Sequence, residues 1–174
     1  MSEVHYKSQP LSRSDIRHYA KKLRKNLLLE DAEYIDVIRL AEYIFPVLFK
    51  KYGFSFEVMP QEIMGNNHGL TNPQSGQIFI REDVYDGACC GGGRDRLTIA
   101  HELGHFLLHD GVTLGLARTI GHEPIPTYCD PEWQATAFAG EFLMDHDIIA
   151  HMTVDEIVDR CKVSFDAARY QKLK

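Results

Sequence analysis

Apolar residues recur at helical spacing through the first third of the chain. The first stripe consists of Ile16, Tyr19, Ala20, Leu23 and Leu27. Ser12 or Ser14 lies where the N-cap of that helix is expected. A broader stripe runs from Ala32 to Leu48, and Pro46 is expected to kink or divide the helix that carries it. The pattern predicts a pair of N-terminal helices over residues 12–52.

Strict alternation of apolar and polar residues replaces the helical pattern after Gly53. Phe54–Val58 alternates in this way and predicts a half-buried strand. Residues 68–71 and 77–81 flank the turn-forming sequence Asn72–Gly76, which predicts a hairpin. We therefore expect a small, mostly antiparallel sheet in which residues 77–81 form an exposed edge.

Helical spacing returns after a glycine-rich stretch and continues to the C terminus. Asp95 is a suitable N-cap for the first of these helices. Residues 130–132 combine an aspartate cap, a proline and a first-turn glutamate, which predicts a strong helix start. Shorter helices are expected after Thr153 and from Val163. Residues 112–129 have no periodicity and predict a long loop of the kind that often forms a lid.

The helix after Asp95 contains the sequence His101-Glu102-Leu103-Gly104-His105. Two histidines four residues apart on one helix face bring their imidazoles together, as one metal ion requires of two nitrogen ligands. Glu102 lies where its carboxylate can reach a water on that metal. This H-E-x-x-H pattern on a helix is typical of zinc peptidases. The alternative is a chance match on an amphipathic helix whose histidines are satisfied locally.

A hydrolytic zinc site takes three protein ligands, so one more must come from another element. Glu132 is the best candidate, because Ala135 and Ala139 share its helix face and would allow close packing against the histidine helix. The alternative is that Glu132 only interacts favourably with the dipole of its own helix. His109 continues the register of the two histidines but lies about 6 Å further along the axis. It is therefore expected either to support the ligands or to pack in the core, and a ligand role is the lesser alternative.

Two stretches together resemble the ImmA/IrrE family of metallopeptidases, namely Arg94–His109 and Glu132–Met144. The resemblance spans roughly residues 32–145. It implies an α+β, zincin-like fold, with a small sheet packed on the metal-binding helix between the N-terminal helix pair and further C-terminal helices. It also implies a zinc ion with ligands at His101, His105 and Glu132. Glu102 is the implied catalytic residue.

One position departs from the family pattern. Thr136 stands four residues after the third implied ligand, where many relatives carry asparagine. Thr136 is therefore the residue expected to support the ligands from that helix, together with His109.

The resemblance also implies a function. Relatives cut or neutralise a helix-turn-helix repressor in mobile-element or stress regulons, and one branch lies beside antiphage systems and responds to single-stranded DNA. We therefore expect a soluble zinc-dependent endopeptidase that cleaves such a repressor, with single-stranded DNA as an activating signal. The alternative is a stoichiometric anti-repressor whose zinc site is not catalytic.

Length and composition are those of one soluble domain. The 174 residues predict a single peptidase domain over 1–174, with N-terminal helices at 12–52, a catalytic core at 54–145 and C-terminal helices at 146–174. No apolar run approaches the ~20 residues of a membrane span. The polar N-terminal sequence predicts no secretory signal, so we expect a cytoplasmic protein with reduced cysteines.

Charge is distributed unevenly along the chain. Residues 1–29 carry seven Lys/Arg and two acids, a net charge of +5, whereas the whole chain carries −6. The basic first helix is expected either to meet an acidic partner or a phosphate backbone, or to be a solvated face. A direct DNA-binding role would rest on this helix and the C-terminal helices alone.

Cys89 and Cys90 precede Gly91-Gly92-Gly93 and the histidine helix. Thiolates are good zinc ligands, and a thiolate in the fourth position would displace the catalytic water. If the glycines let the chain fold back, one cysteine could act as a latch, and Cys89 is favoured over Cys90. The alternative is that both pack as small apolar loop residues.

Overall fold

The computed structural model of the chain describes residues 5–109, 117–119 and 125–174. Its strands are β1 (His5–Lys7), β2 (Ser55–Met59), β3 (Gly69–Asn72), β4 (Gln77–Arg81) and β5 (Ala117–Thr119). Its α-helices are α1 (Arg13–Asn26), α2 (Val37–Arg39), α3 (Phe45–Leu48), α4 (Gln61–Met64), α5 (Glu82–Cys89), α6 (Gly93–Leu108), α7 (Pro131–Leu143), α8 (His146–Ile149), α9 (Val154–Cys161) and α10 (Phe165–Lys172). Much of the loop expected at 112–129 lies outside the described residues.

The two predicted N-terminal helices form differently. Ser12 caps α1 through a capping box with Asp15, as one of the two expected caps. The second stripe does not form one continuous α-helix, because a π-helical segment at Leu40–Ile44 separates α2 from α3. Pro46 is the second residue of α3, and its missing N–H and its ring are incompatible with an unbroken α-helical ladder.

The three-stranded sheet is mixed and not mostly antiparallel. Its order is β2-β4-β3, with β2 parallel and β3 antiparallel to β4. The expected β3–β4 hairpin is confirmed, but residues 77–81 form the central strand, so their assignment to the edge was wrong. The physical reason lies between β2 and β3, where the chain passes through α4 and does not turn back in a hairpin. The edges of this sheet are therefore β2 and β3.

Helix α6 packs against both the sheet and α7. Its buried face includes Ile99, Leu103 and Phe106. The approach to α7 is close at Gly104, where an added Cβ would lie 3.1 Å from Phe138 and 3.2 Å from Ala135. Small residues at this crossing thus bring the first turn of α7 beside the two histidines, as the sequence predicted.

The basic first helix uses much of its charge inside the molecule. Glu141 on α7 is 1% exposed and accepts hydrogen bonds from Arg13 Nε and Arg17 Nε, each at 2.8 Å. Arg24 is also 1% exposed and donates to the backbone carbonyls of Phe142 and Ala32. Lys21 pairs with an aspartate on α8. This helix is therefore a packing element, and most of its cations are not available to a partner.

Replacing Glu141 by glutamine is expected to destabilise the fold. The change leaves Arg13 and Arg17 facing an uncharged, buried group, and breaking a buried ion pair typically costs about 3–5 kcal/mol. Both arginines keep some solvent contact, so we expect about 2–3 kcal/mol in the free energy of unfolding from urea titrations. Lys22→Gln, an exposed cation on the same helix, is the control. Equal urea concentrations at the unfolding midpoints of the two variants would contradict this role of Glu141.

None of the described helices is long and apolar enough to cross a membrane.

Candidate metal centre

Three potential ligands meet between α6 and α7. His101 Nε2 lies 3.2 Å from Glu132 Oε2, and His105 Nε2 lies 3.3 Å from Glu132 Oε1. The two Nε2 atoms are 3.0 Å apart. The Nε2 atoms of both rings and the carboxylate oxygens of Glu132 thus point toward one position.

This arrangement fits a zinc ion. Ligands about 2.0–2.1 Å from a tetrahedral zinc lie about 3.3 Å from one another, close to the observed separations. Two imidazoles and a carboxylate are also a donor set that catalytic zinc sites use. Hydrogen bonds from His101 and His105 hold the pKa of Glu132 well below its usual range. The carboxylate is therefore anionic at neutral pH, as a ligand must be.

Local structure at the start of α7 places Glu132. Asp130 is the N-cap and accepts a hydrogen bond from the Glu132 backbone N–H at 2.9 Å, and Pro131 occupies the first helical position. The predicted helix start is thus confirmed. Glu132 lies in the first turn, as the dipole alternative requires, but its carboxylate faces the histidines of α6.

The outer nitrogens of both histidines have partners. His101 Nδ1 lies 3.2 Å from Thr136 Oγ1, so this threonine lies where the expected supporting residue should be. His105 Nδ1 lies 3.1 Å from His109 Nδ1. His109 is not among the grouped ligand atoms, and burial lowers its pKa to about 4. Thr136 and His109 therefore lie where they can orient the two proposed ligands.

Gln134 in turn contacts His109, and it was not predicted from the sequence as a residue of the site. Its Oε1 lies 2.9 Å from His109 Nε2, and its side chain is fully buried. The only sequence signal was a polar residue two positions after Glu132 on a helix that is otherwise largely apolar.

The Glu102 side chain contacts β3, a strand at the edge of the sheet. It is 6% exposed, and Thr71 Oγ1 of β3 donates to its Oε2 at 2.6 Å. A Cβ at Gly69 would lie 2.6 Å from Glu102 Oε1, so only glycine lets β3 approach this closely. Neither Thr71 nor Gly69 was singled out from the sequence, because their contact with Glu102 depends on how β3 docks onto α6.

A cavity of about 430 Å³ opens beside Glu102 and His101. Its lining combines the segment before β3 with one face of α6 and two residues of α7, namely Asn66, Asn67, His68, Gly69, Arg94, Leu97, Thr98, His101, Glu102, Thr136 and Ala139. His68, which directly precedes β3, lines the same cavity. His122 lies outside the described residues.

The cysteines are not part of this group. Cys89 is the last residue of α5 and lines a separate cavity with Tyr34 and Asp36, and Cys90 is exposed. Gly93, the last of the three glycines that follow them, is already the first residue of α6. A Cβ at Gly93 would lie 2.4 Å from the backbone of Val163, which shows close packing. The latch stays untested, and because neither thiol belongs to the group of potential ligands, we expect the alternative in which no cysteine reaches the metal.

If Glu102 is the catalytic residue that the family resemblance implies, replacing Gly69 by alanine should slow peptide cleavage about 10²-fold, the cost of misplacing a catalytic group by roughly 1 Å. The new methyl group would push the Glu102 carboxylate away from its position between Thr71 and the cavity. The measurement is the cleavage rate on a proteome-derived peptide library. Zinc content should stay at the wild-type level, because no proposed ligand is touched. Unchanged cleavage would show that Glu102 tolerates the displacement.

A sequence model of a peptidase family, Peptidase_M78, described as the IrrE N-terminal-like domain, matches residues 64–171. The chain belongs to this family. Among curated proteins the chain has no match.

Membership in the IrrE N-terminal-like family confirms the ImmA/IrrE resemblance and indicates a metallopeptidase. The match includes β3, β4 and both helices of the metal centre. It also extends beyond the stretch that carried the resemblance, from residue 145 through most of α10. It does not distinguish the branch associated with antiphage systems.

Proposed function

We propose that the chain is a zinc-dependent endopeptidase whose substrate is a helix-turn-helix transcriptional repressor. The observation that carries the catalytic part is the position of Glu102. This buried carboxylate belongs to the residue that follows His101, stands outside the group of proposed ligands, and lines an open cavity together with that histidine. A purely structural zinc site needs no such acid and is normally closed by a fourth protein ligand.

His101, His105 and Glu132 are the residues that would hold the zinc ion. When bound, zinc polarises a scissile carbonyl and lowers the pKa of a water. Glu102 accepts the proton of the attacking water and later donates it to the leaving amine. The Thr71 hydroxyl donates to its Oε2 and so holds the carboxylate in place beside the cavity.

The sheet edge beside Glu102 suggests how a substrate binds. β3 is an edge strand of its sheet, and its Gly69 and Thr71 contact the catalytic carboxylate. An extended peptide that pairs with β3 would pass directly over the cavity. Strand pairing requires an extended segment, so we expect cleavage in a linker of the repressor and not inside one of its helices.

The regulatory part of the proposal rests on the family resemblance alone, including the stress or antiphage setting, the cytoplasmic location and activation by single-stranded DNA. The basic first helix adds little support for nucleic-acid binding, since Arg13, Arg17 and Arg24 are engaged within the fold.

The test uses the zinc-loaded full chain and, where the neighbouring reading frame encodes a helix-turn-helix protein, that protein as the candidate substrate. We expect cleavage products whose new termini, mapped by mass spectrometry, lie in a linker. A parallel reaction with single-stranded DNA measures whether the rate rises. If the repressor is released from its operator but remains intact, the peptidase proposal fails and the anti-repressor alternative is favoured.

A further inference from the structure

The cavity beside the proposed metal centre extends along α6 toward the N terminus of that helix. The α6 residues on its floor share one helix face, namely Arg94, Leu97, Thr98 and His101. A rise of about 1.5 Å per residue places Arg94 roughly 10 Å from His101 along the helix axis. The cavity therefore has a metal end at His101 and a distant end at Arg94.

Two walls flank this face of α6. One wall consists of Thr136 and Ala139 of α7, and the other consists of residues 66–69, which lead into β3. A peptide that pairs with the edge strand β3 would lie over the cavity between these walls. An extended peptide advances about 3.3 Å per residue, so a side chain about two or three residues from the cleaved bond would lie near Arg94.

The two ends of the cavity differ in charge. Of the described residues that line it, Glu102 is the only acid, and it directly follows His101. Arg94 is the only residue of this lining with a permanent positive charge, and the amides of Asn66 and Asn67 can donate further hydrogen bonds. A carboxylate suits this set of donors, because a guanidinium pairs with it through two parallel hydrogen bonds.

Arg94 is not engaged by the fold in the way that Arg96 is. Arg96 is buried and donates to main-chain carbonyls. Arg94 is exposed, and no carboxylate within the described ranges forms an ion pair with it. The neighbouring Asp95 lies against the glycines before α6, where a Cβ at Gly92 would be 2.6 Å from its Oδ2. The Arg94 guanidinium is therefore available to a ligand in the cavity.

We propose that Arg94 is a specificity-determining residue that binds an aspartate or glutamate side chain about two or three residues from the cleaved bond. The proposal rests on the peptidase function proposed above and names the substrate class of the same site. A peptide can supply a carboxylate from an acidic side chain or from its C terminus. An endopeptidase cuts away from chain ends, so the side chain is the expected source. Cleavage is then directed to linker segments that carry an acidic residue.

The experiment maps the sites that the zinc-loaded full chain cleaves in a proteome-derived peptide library, by mass spectrometry. In the wild type we expect aspartate or glutamate to be enriched about 5–10-fold at one position on one side of the bond, as suits an ion pair at an open site. Arg94→Glu should lose this enrichment and favour lysine or arginine at the same position. For single acidic peptides it should raise KM with little change in kcat, because it removes a binding contact and no reacting group.

Arg39→Glu is the matched control. It makes the same charge change at an exposed arginine that lines the separate cavity beside Cys89, so it should keep the wild-type preference. Arg94→Glu is expected to fold, because the native side chain is exposed and a glutamate is favourable in the first turn of α6. Both variants should bind zinc like the wild type, since neither residue is a proposed ligand.

A second library with amidated C termini separates the two sources of the carboxylate. Recognition of a side chain predicts the same cleavage sites in both libraries, whereas loss of cleavage on amidation would overturn the proposal. Wild-type cleavage without an acidic preference, or the same preference in Arg94→Glu, would also overturn it while leaving the peptidase function intact. If the wild type cleaves no peptide in either library, the proposed function itself fails and the specificity with it.

Discussion

Replacing Glu132 by alanine is expected to strip the protein of zinc. Glu132 supplies the only carboxylate of the His101–His105–Glu132 group, and its oxygens lie 3.2 and 3.3 Å from the two imidazole nitrogens. Losing a group that merely supports a ligand costs about 10–100-fold in metal affinity. Losing a ligand should cost more, so we expect a fall above about 10²-fold, measured by chelator competition.

The control for this variant is Glu57→Gln, which removes an exposed carboxylate on β2. It should bind zinc like the wild type, with a stoichiometry of about one ion per chain. Folding of the variant must be followed separately. We expect it to be retained, because Asp130 and Pro131 still define the start of α7. Glu132→Ala that is folded and keeps full zinc occupancy would contradict the assignment.

Replacing Glu102 by glutamine is expected to abolish peptide cleavage while zinc stays bound. Glutamine has the same shape and its carbonyl oxygen can still accept the hydrogen bond from Thr71, but it cannot take a proton from water. A positioned general base typically contributes about 10²–10⁴-fold to the rate, and we expect a loss within that range. The measurement is the cleavage rate on a proteome-derived peptide library.

Two further observations make this result informative. Zinc content of Glu102→Gln should equal that of the wild type, since the carboxylate is not part of the metal group. In cells, the same variant should no longer relieve repression of a reporter controlled by the proposed repressor partner. Derepression that persists without cleavage would count against the peptidase and favour the anti-repressor alternative.

The contacts that the sequence predicted best are those between residues close in sequence or on one helix face. The four-residue spacing of His101 and His105 fixes their meeting on any α-helix, and Asp130-Pro131 fixes the start of α7. Ala135 predicted the close crossing because small side chains are what such a crossing requires. The grouping of two histidines with Glu132 could therefore be anticipated.

Contacts between distant elements could not be anticipated in the same way. Alternation in residues 77–81 predicts a strand but not which neighbours it pairs with, and both its edges are occupied. Gln134 binds backbone carbonyls of Gln9 and Tyr128, and a backbone carbonyl leaves no sequence signal. The net charge of the first helix likewise did not reveal that a buried Glu141 lies opposite it.

X-ray absorption at the zinc edge of the resting, zinc-loaded chain tests the central claim most directly. The claim is that His101, His105 and Glu132 hold one zinc ion and leave a coordination position open. We predict only nitrogen and oxygen scatterers at about 2.0–2.2 Å, with the signature of two imidazoles. A sulfur scatterer near ~2.3 Å would contradict this account and would instead bring Cys89 or Cys90 to the metal.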